Sequence, residues 1–204
     1  MFIANEDRAM ELKLSGLVVY DVNSPDTGRP VQLIWLDNDT ELTKLTYPAI
    51  IISNHGITYD AERAHSGLVN LTYTPEGFPT YDPTTTANPY WCYAPIPFMI
   101  NYQIEVVAEN NKHSTFLQAV LSGPDYLSRR FGYLEIPEDG TIRRLELAAG
   151  PDMQSTRDGD GKRLFHSVYA VQVATELLPK QIVQYQQVQT VHNDISFLPI
   201  NDES

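Results

Sequence analysis

From Pro95 to Glu109 the chain reads PIPFMINYQIEVVAE, and its apolar and polar positions alternate. Phe98, Ile100, Tyr102, Ile104, Val106 and Ala108 fall on one side, with Asn101, Gln103, Glu105 and Glu109 on the other. Successive side chains of a strand point to opposite faces. A period of two therefore predicts a long β-strand with one face on a core and the other in water. The other elements read outward from it. Asn5 is placed to cap a helix over Glu6–Ser15, with Glu6 and Asp7 at its positive end and Gly16 to stop it. Leu17–Val22 and Val31–Leu36 are strand-like and flank the turn-rich spacer NSPDTGRP, which predicts a hairpin with a long loop. Asp37–Leu45 reads as a polar turn, and Tyr47–Ser53 as a strand with Pro48 near its beginning.

Beyond the central strand, Phe116, Leu117, Val120 and Leu121 are spaced for a helix over His113–Leu121, with Ser114 as its cap and Gly123-Pro124 as its stop. A second short helix is predicted over Asp125–Phe131. Gly132–Ile136 and Ile142–Leu147 read as strands joined through Asp139-Gly140, a strong hairpin signal. Ala148–Lys162 reads as a loop, and Leu164–Leu178 as a second long strand.

Two segments resist this grammar. Between His55 and Tyr93 prolines recur, interleaved with Tyr73, Phe78, Tyr81, Tyr90, Trp91 and Tyr93. A short strand fits Leu68–Thr74. The prolines after it remove amide donors and fix φ, which predicts irregular chain. Disordered chain is poor in aromatics, so this loop is expected to order against its own domain or a neighbouring subunit. Past Pro179 the chain is rich in glutamine, with Ile182, Val183, Tyr185, Val188 and Val191 between, and reads as an extended arm. The expectation is one α+β domain over residues 1–180: a mainly antiparallel sheet with short helices packed on one face. It carries an insertion loop at 74–97 and a C-terminal arm over 181–204.

Fourteen Lys and Arg stand against 26 Asp and Glu in 204 residues, a net charge of −12. That disfavours a tightly held nucleic acid or an anionic membrane surface. Cys92 is the only cysteine, which rules out an internal disulfide and a CxxC zinc site; it reads as a small core hydrophobe. The N-terminal MFIANEDRAM lacks a basic segment followed by an apolar one, so no signal peptide is expected, and no apolar run is long enough to cross a bilayer. His55, His65, His113, His166 and His192 are scattered without metal-ligand spacing and read as surface or loop residues. Asp158-Gly159-Asp160-Gly161 begins like a calcium loop but lacks its later ligands, and reads as a tight turn. No nucleophile elbow or phosphate-binding loop is present, so neither a catalytic site nor a cofactor is expected from spacing; a hydrolase whose histidines and carboxylates are brought together by folding is the third and least favoured reading.

In order and type of element, LSGLVVYDV, TYPAIIIS, PIPFMINYQIEV with its following helix, RRFGYLEIP and RLFHSVYAVQVATEL resemble the virion neck proteins of tailed bacteriophages, most narrowly the tail-terminator family. The resemblance implies a small sheet with helices on one face and a homo-oligomeric, hexameric ring that caps the tail tube. Its partners would be the tail tube protein and the head-completion or connector proteins, with DNA passing through the channel without specific binding. It implies a virion location after assembly in a host cytoplasm. In that setting Tyr81, Tyr90, Trp91 and Tyr93 of the loop, with Tyr185 and Val188 of the arm, are the expected interface anchors. Exposed Tyr and Trp also suit a carbohydrate- or receptor-binding module, the alternative from another class.

Overall fold

The computed structural model describes residues 3–21, 24–36, 45–71, 74, 76–77, 79–80, 89–138, 140–157, 161–177 and 182–184. Among the described residues the protein is mixed α+β, mostly strands with two short helices. It forms two compact units: Met1–Ala64 with Pro95–Leu177, and His65–Ala94 with Leu178–Ser204.

In the first unit six strands lie in the order β3-β4-β7-β10-β9-β8. They are β3 (Gln32–Trp35), β4 (Ala49–Tyr59), β7 (Ile96–Ala108), β8 (Gly132–Ile136), β9 (Thr141–Arg157) and β10 (Arg163–Leu177). All pairs are antiparallel except β3 with β4. The alternation of β7 is realised: Ile100, Tyr102, Ile104 and Val106 are buried, while Asn101, Gln103 and Glu105 are half-buried on the other face. The buried face meets Ile50 and Ile52 of β4 and Tyr169, Val171 and Val173 of β10 in one core.

Both helices contribute to that core. Helix α1 (Ala4–Leu14) supplies Met10 and Leu14, and α2 (Asn111–Leu121) supplies Leu117 and Leu121. Each such side chain gains about 1.5–3 kcal/mol by leaving water. Neither helix starts at the expected cap. α1 begins after Ile3, without a side-chain cap, because its acidic first turn is drawn inward. Glu6 is buried, accepts a hydrogen bond from Thr175 Oγ1 and lies 3.9 Å from Arg143 Nε. Asp7 accepts from Tyr102 Oη at 2.7 Å. Burial, and then the Asp7 carboxylate, raise the Tyr102 phenol far above its ordinary pKa. In α2 the cap is Asn110, which accepts from Lys112 N at 2.9 Å; Ser114 is buried one turn inside. Gly16, at φ +75°, ends α1 as expected.

Several boundaries move. The spacer expected as a hairpin loop is itself a strand, β2 (Ser24–Pro30), paired with β1 (Val18–Asp21), and the expected partner became β3 in the large sheet. Gly28 makes this possible, since a Cβ there would sit 2.5 Å from Val18 Cγ1. Asp125–Phe131 is not helical. Leu127 is buried and donates its amide to Leu121 O, and Ser128 Oγ accepts from the amides of Arg130 and Phe131. Local side-chain bonds of this kind compete with a helix. The expected loop 148–162 is mostly strand, because β9 runs on to Arg157 against β10. The turn through Gly140, at φ +66°, closes β8 onto β9 as predicted.

Arg63 ties the far ends of three strands together. It donates to Asp60 Oδ2 at 2.5 Å, to Phe98 O at 3.1 Å and to Thr175 O at 3.5 Å, with Glu176 3.6 Å away. The hydrogen bond from Arg63 is the main reason that the Asp60 carboxyl is held below its ordinary pKa. A lowered folded-state pKa contributes stability that is present above the unfolded value, about 3.9, and is lost as pH falls through the folded one. Comparing wild type with Asp60→Asn by thermal melts should show a small gap above about pH 4 that closes in acid. A gap independent of pH would contradict it.

The second unit contains β5 (Leu68–Asn70), β6 (Tyr90–Tyr93) and β11 (Ile182–Gln184), in the order β11-β6-β5 and antiparallel throughout. Tyr90–Tyr93 thus forms a strand where an irregular loop was expected. The opening residues of the expected arm add a strand to the same sheet.

Candidate interaction surface

The long pair of β9 and β10 carries an exposed surface of the first unit. β7 accompanies β10 from Leu177 to Phe165, so one side of β10 is covered for nearly its whole length. β8 covers the outer side of β9 only from Thr141 to Leu145. Beyond it the turn after α2 takes over, with Leu147 N donating to Ser128 O at 3.3 Å and Arg129 reaching Gly150 O, and from Asp152 to Arg157 no strand among the described residues pairs with that outer edge. Pro151–Arg157 are all exposed, and Met153 retains 68% of its surface. Unpaired amides and carbonyls along such an edge are a template for another chain.

A kink separates this edge from the body of the sheet. Pairing of β9 with β10 shifts register between Val168 and Val171, beside Gly150. Gly150 has φ +107°, and a Cβ on it would lie 2.5 Å from Val168 O, so only glycine fits there. Arg129 donates to Gly150 O at 2.8 Å and fastens the kink to the turn after α2.

The wet face of the sheet is laced with polar side chains. Gln172 donates to Asn101 Oδ1 at 3.1 Å, and Lys162 Nζ lies 3.7 Å from Glu109. His166 is held on both ring nitrogens: Nδ1 is 2.6 Å from Glu105 Oε1, and Nε2 is 2.7 Å from Thr156 Oγ1. His113, on the first turn of α2, is buried with Nε2 2.8 Å from Asp21 Oδ1, at a cleft that Arg29 and Tyr47 also line. Both histidines sit on the elements expected to carry them and face carboxylates; His113 is buried, where a surface or loop residue was expected, while His166 stays part-exposed on the wet face.

Of the aromatic anchors expected from sequence, Tyr90 is 1% exposed and its hydroxyl donates to Pro79 O, so its ring serves the second unit's own packing. Trp91 is half-buried, and Tyr93 is exposed. Leu68 stands opposite Tyr93, and Asn70 opposite Trp91. Tyr81, Tyr185 and Val188 lie outside the described residues, as do Asp158–Asp160. The open edge of β9 was missed because Ala148–Lys162 mixes proline, glycine and charge in a way that reads as loop. The alternation of Met153 and Ser155 with Asp152 and Gln154 was too weak a signal to show a strand.

No protein-family model matches the chain, and no curated protein does.

Proposed function

We propose that this chain is a structural subunit that closes with copies of itself into a ring. The best fit is a tail terminator or a closely placed neck protein of a tailed bacteriophage. The observation that carries this reading is the outer edge of distal β9, which pairs with β10 on one side and with no strand among the described residues on the other. A contact between this edge and a different patch of the next copy is heterologous, and heterologous contacts close into rings when the rotation allows. The exposed aromatic Tyr93 of the second unit suits a further contact with a neighbour. A net charge of −12 on each copy suits a channel through which DNA slides without adhering. Its partners in that role are the tail tube below and the head-completion or connector proteins above.

Mass measurement of the purified protein, alone and with tail tubes, tests the reading. The expected result is a discrete particle of about six chain masses that binds the end of a tube, with closed cyclic symmetry. A stable monomer that ignores tubes overturns it, and glycan binding by that monomer would favour the carbohydrate-binding alternative.

A further inference from the structure

Glu105, His166 and Thr156 come from three adjacent strands, β7, β10 and β9, and form one oblique row on the wet face of the sheet. In register, Glu105 stands opposite Val168 and Thr156 opposite Leu164. His166 lies midway between those two positions and reaches diagonally to both, a reach open to long side chains. The residue directly opposite it, Gln154, turns its amide toward Asp152 at 3.5 Å. The imidazole is therefore committed to the carboxylate on one nitrogen and the hydroxyl on the other, at 2.6 and 2.7 Å.

Chemistry assigns the protons. A carboxylate only accepts, so Nδ1 carries the hydrogen that Glu105 receives, and in the neutral ring Nε2 is left as the acceptor for the Thr156 hydroxyl. A hydroxyl within reach of a base that is itself oriented by a third group is the arrangement that activates an oxygen nucleophile. His166 is partly shielded, its side chain 19% exposed, whereas Thr156 is open to solvent. An incoming molecule meets the hydroxyl first. Lys162, two residues before the position opposite Thr156, adds a cation at the same end of the strands.

We propose that Thr156 Oγ is a nucleophile toward activated acyl esters, with His166 as its general base and Glu105 as the positioning residue. The hydroxyl oxygen adds to the ester carbonyl carbon while its proton passes to His166 Nε2. The tetrahedral intermediate collapses by breaking the bond to the leaving alcohol, which takes that proton from Nε2. The products are acyl-Thr156 and the free alcohol. Water activated by the same nitrogen then hydrolyses the acyl group and restores the hydroxyl. This inference is independent of ring formation: a strand added at the β9 edge bonds in the plane of the sheet and leaves the face bearing Thr156 open.

The test uses the full chain and p-nitrophenyl acetate, following nitrophenolate release and locating the acetyl group by peptide mass spectrometry. The expected result is acetylation at Thr156, at a rate that rises with pH and then levels, as general-base catalysis requires. Thr156→Val should abolish that label, Thr156→Ser should retain it, and His166→Ala should slow it by about 100-fold or more. Glu105→Gln should slow the reaction and displace the pH profile, a change that a purely structural role would not produce. Acetyl found only on lysine or tyrosine of the wild-type chain overturns the proposal without recourse to any variant. So does labelling of Thr156 at the wild-type rate in folded His166→Ala.

Discussion

Replacing Tyr102 by alanine is expected to lower the unfolding free energy by about 3–5 kcal/mol, the range for removing a large aromatic from a packed core. Tyr102 is 2% exposed at the centre of β7, and its ring meets Trp35 edge-on with centroids 6.1 Å apart. The cavity left behind would be lined by strands paired on both sides, which leaves little room for collapse. Its hydroxyl also donates to Asp7, so the change detaches the first turn of α1 from the sheet. Tyr102→Phe isolates that second effect. It should cost about 1.5–3 kcal/mol, the usual value of a hydrogen bond to a charged group. Urea unfolding of both variants beside the wild type checks the ordering. A loss under about 1 kcal/mol for alanine would mean that the core is not organised around this residue.

The second large effect concerns assembly. Introducing Met153→Lys together with Ser155→Lys places two charges along the open stretch of β9, the device by which natural edge strands refuse partners. Both positions are exposed, so the melting temperature of the chain should hardly move. Assembly should weaken by tenfold or more, since each tenfold needs only about 1.4 kcal/mol. Analytical ultracentrifugation across a dilution series reads the change. Wild-type assembly in this variant would remove the β9 edge from the contact between copies.

The sequence made some parts of this fold plain and left others unreadable, and the division has a physical cause. β7 was legible because one of its faces is buried along nearly its whole length, so burial imprinted a strict alternation on the residues. The turn at Gly140 was legible because positive φ is a local demand met by a local residue. β2 was not, since SPDTGRP is written in turn residues and is held as a strand by its pairing with β1. The distal half of β9 is exposed on both faces and so carries only a weak alternation. Glu105 could be placed on the wet side of its strand and His166 on another strand. Their meeting with Thr156, though, depends on a register between strands far apart in sequence. A polar residue inside an alternating strand is a flag; which residue it faces is decided by pairing, and pairing is not local.

The order of strands in the large sheet also bears on how the chain reaches this state. β10 is the last of the six to be synthesised, yet it lies between β7 and β9 and pairs with both. Until it emerges from the ribosome, β7 has a neighbour on one side only, and β9 holds no more than the short β8. Translation from Ala108 to Arg163 takes several seconds at ~5–20 residues per second. Through that interval the apolar faces of β4 and β7 await their central partner and are open to chaperones or to another nascent chain. The sheet therefore closes late and by a long-range step, which favours slow folding. Synthesis of many copies at once would make that interval the point at which misassembly begins.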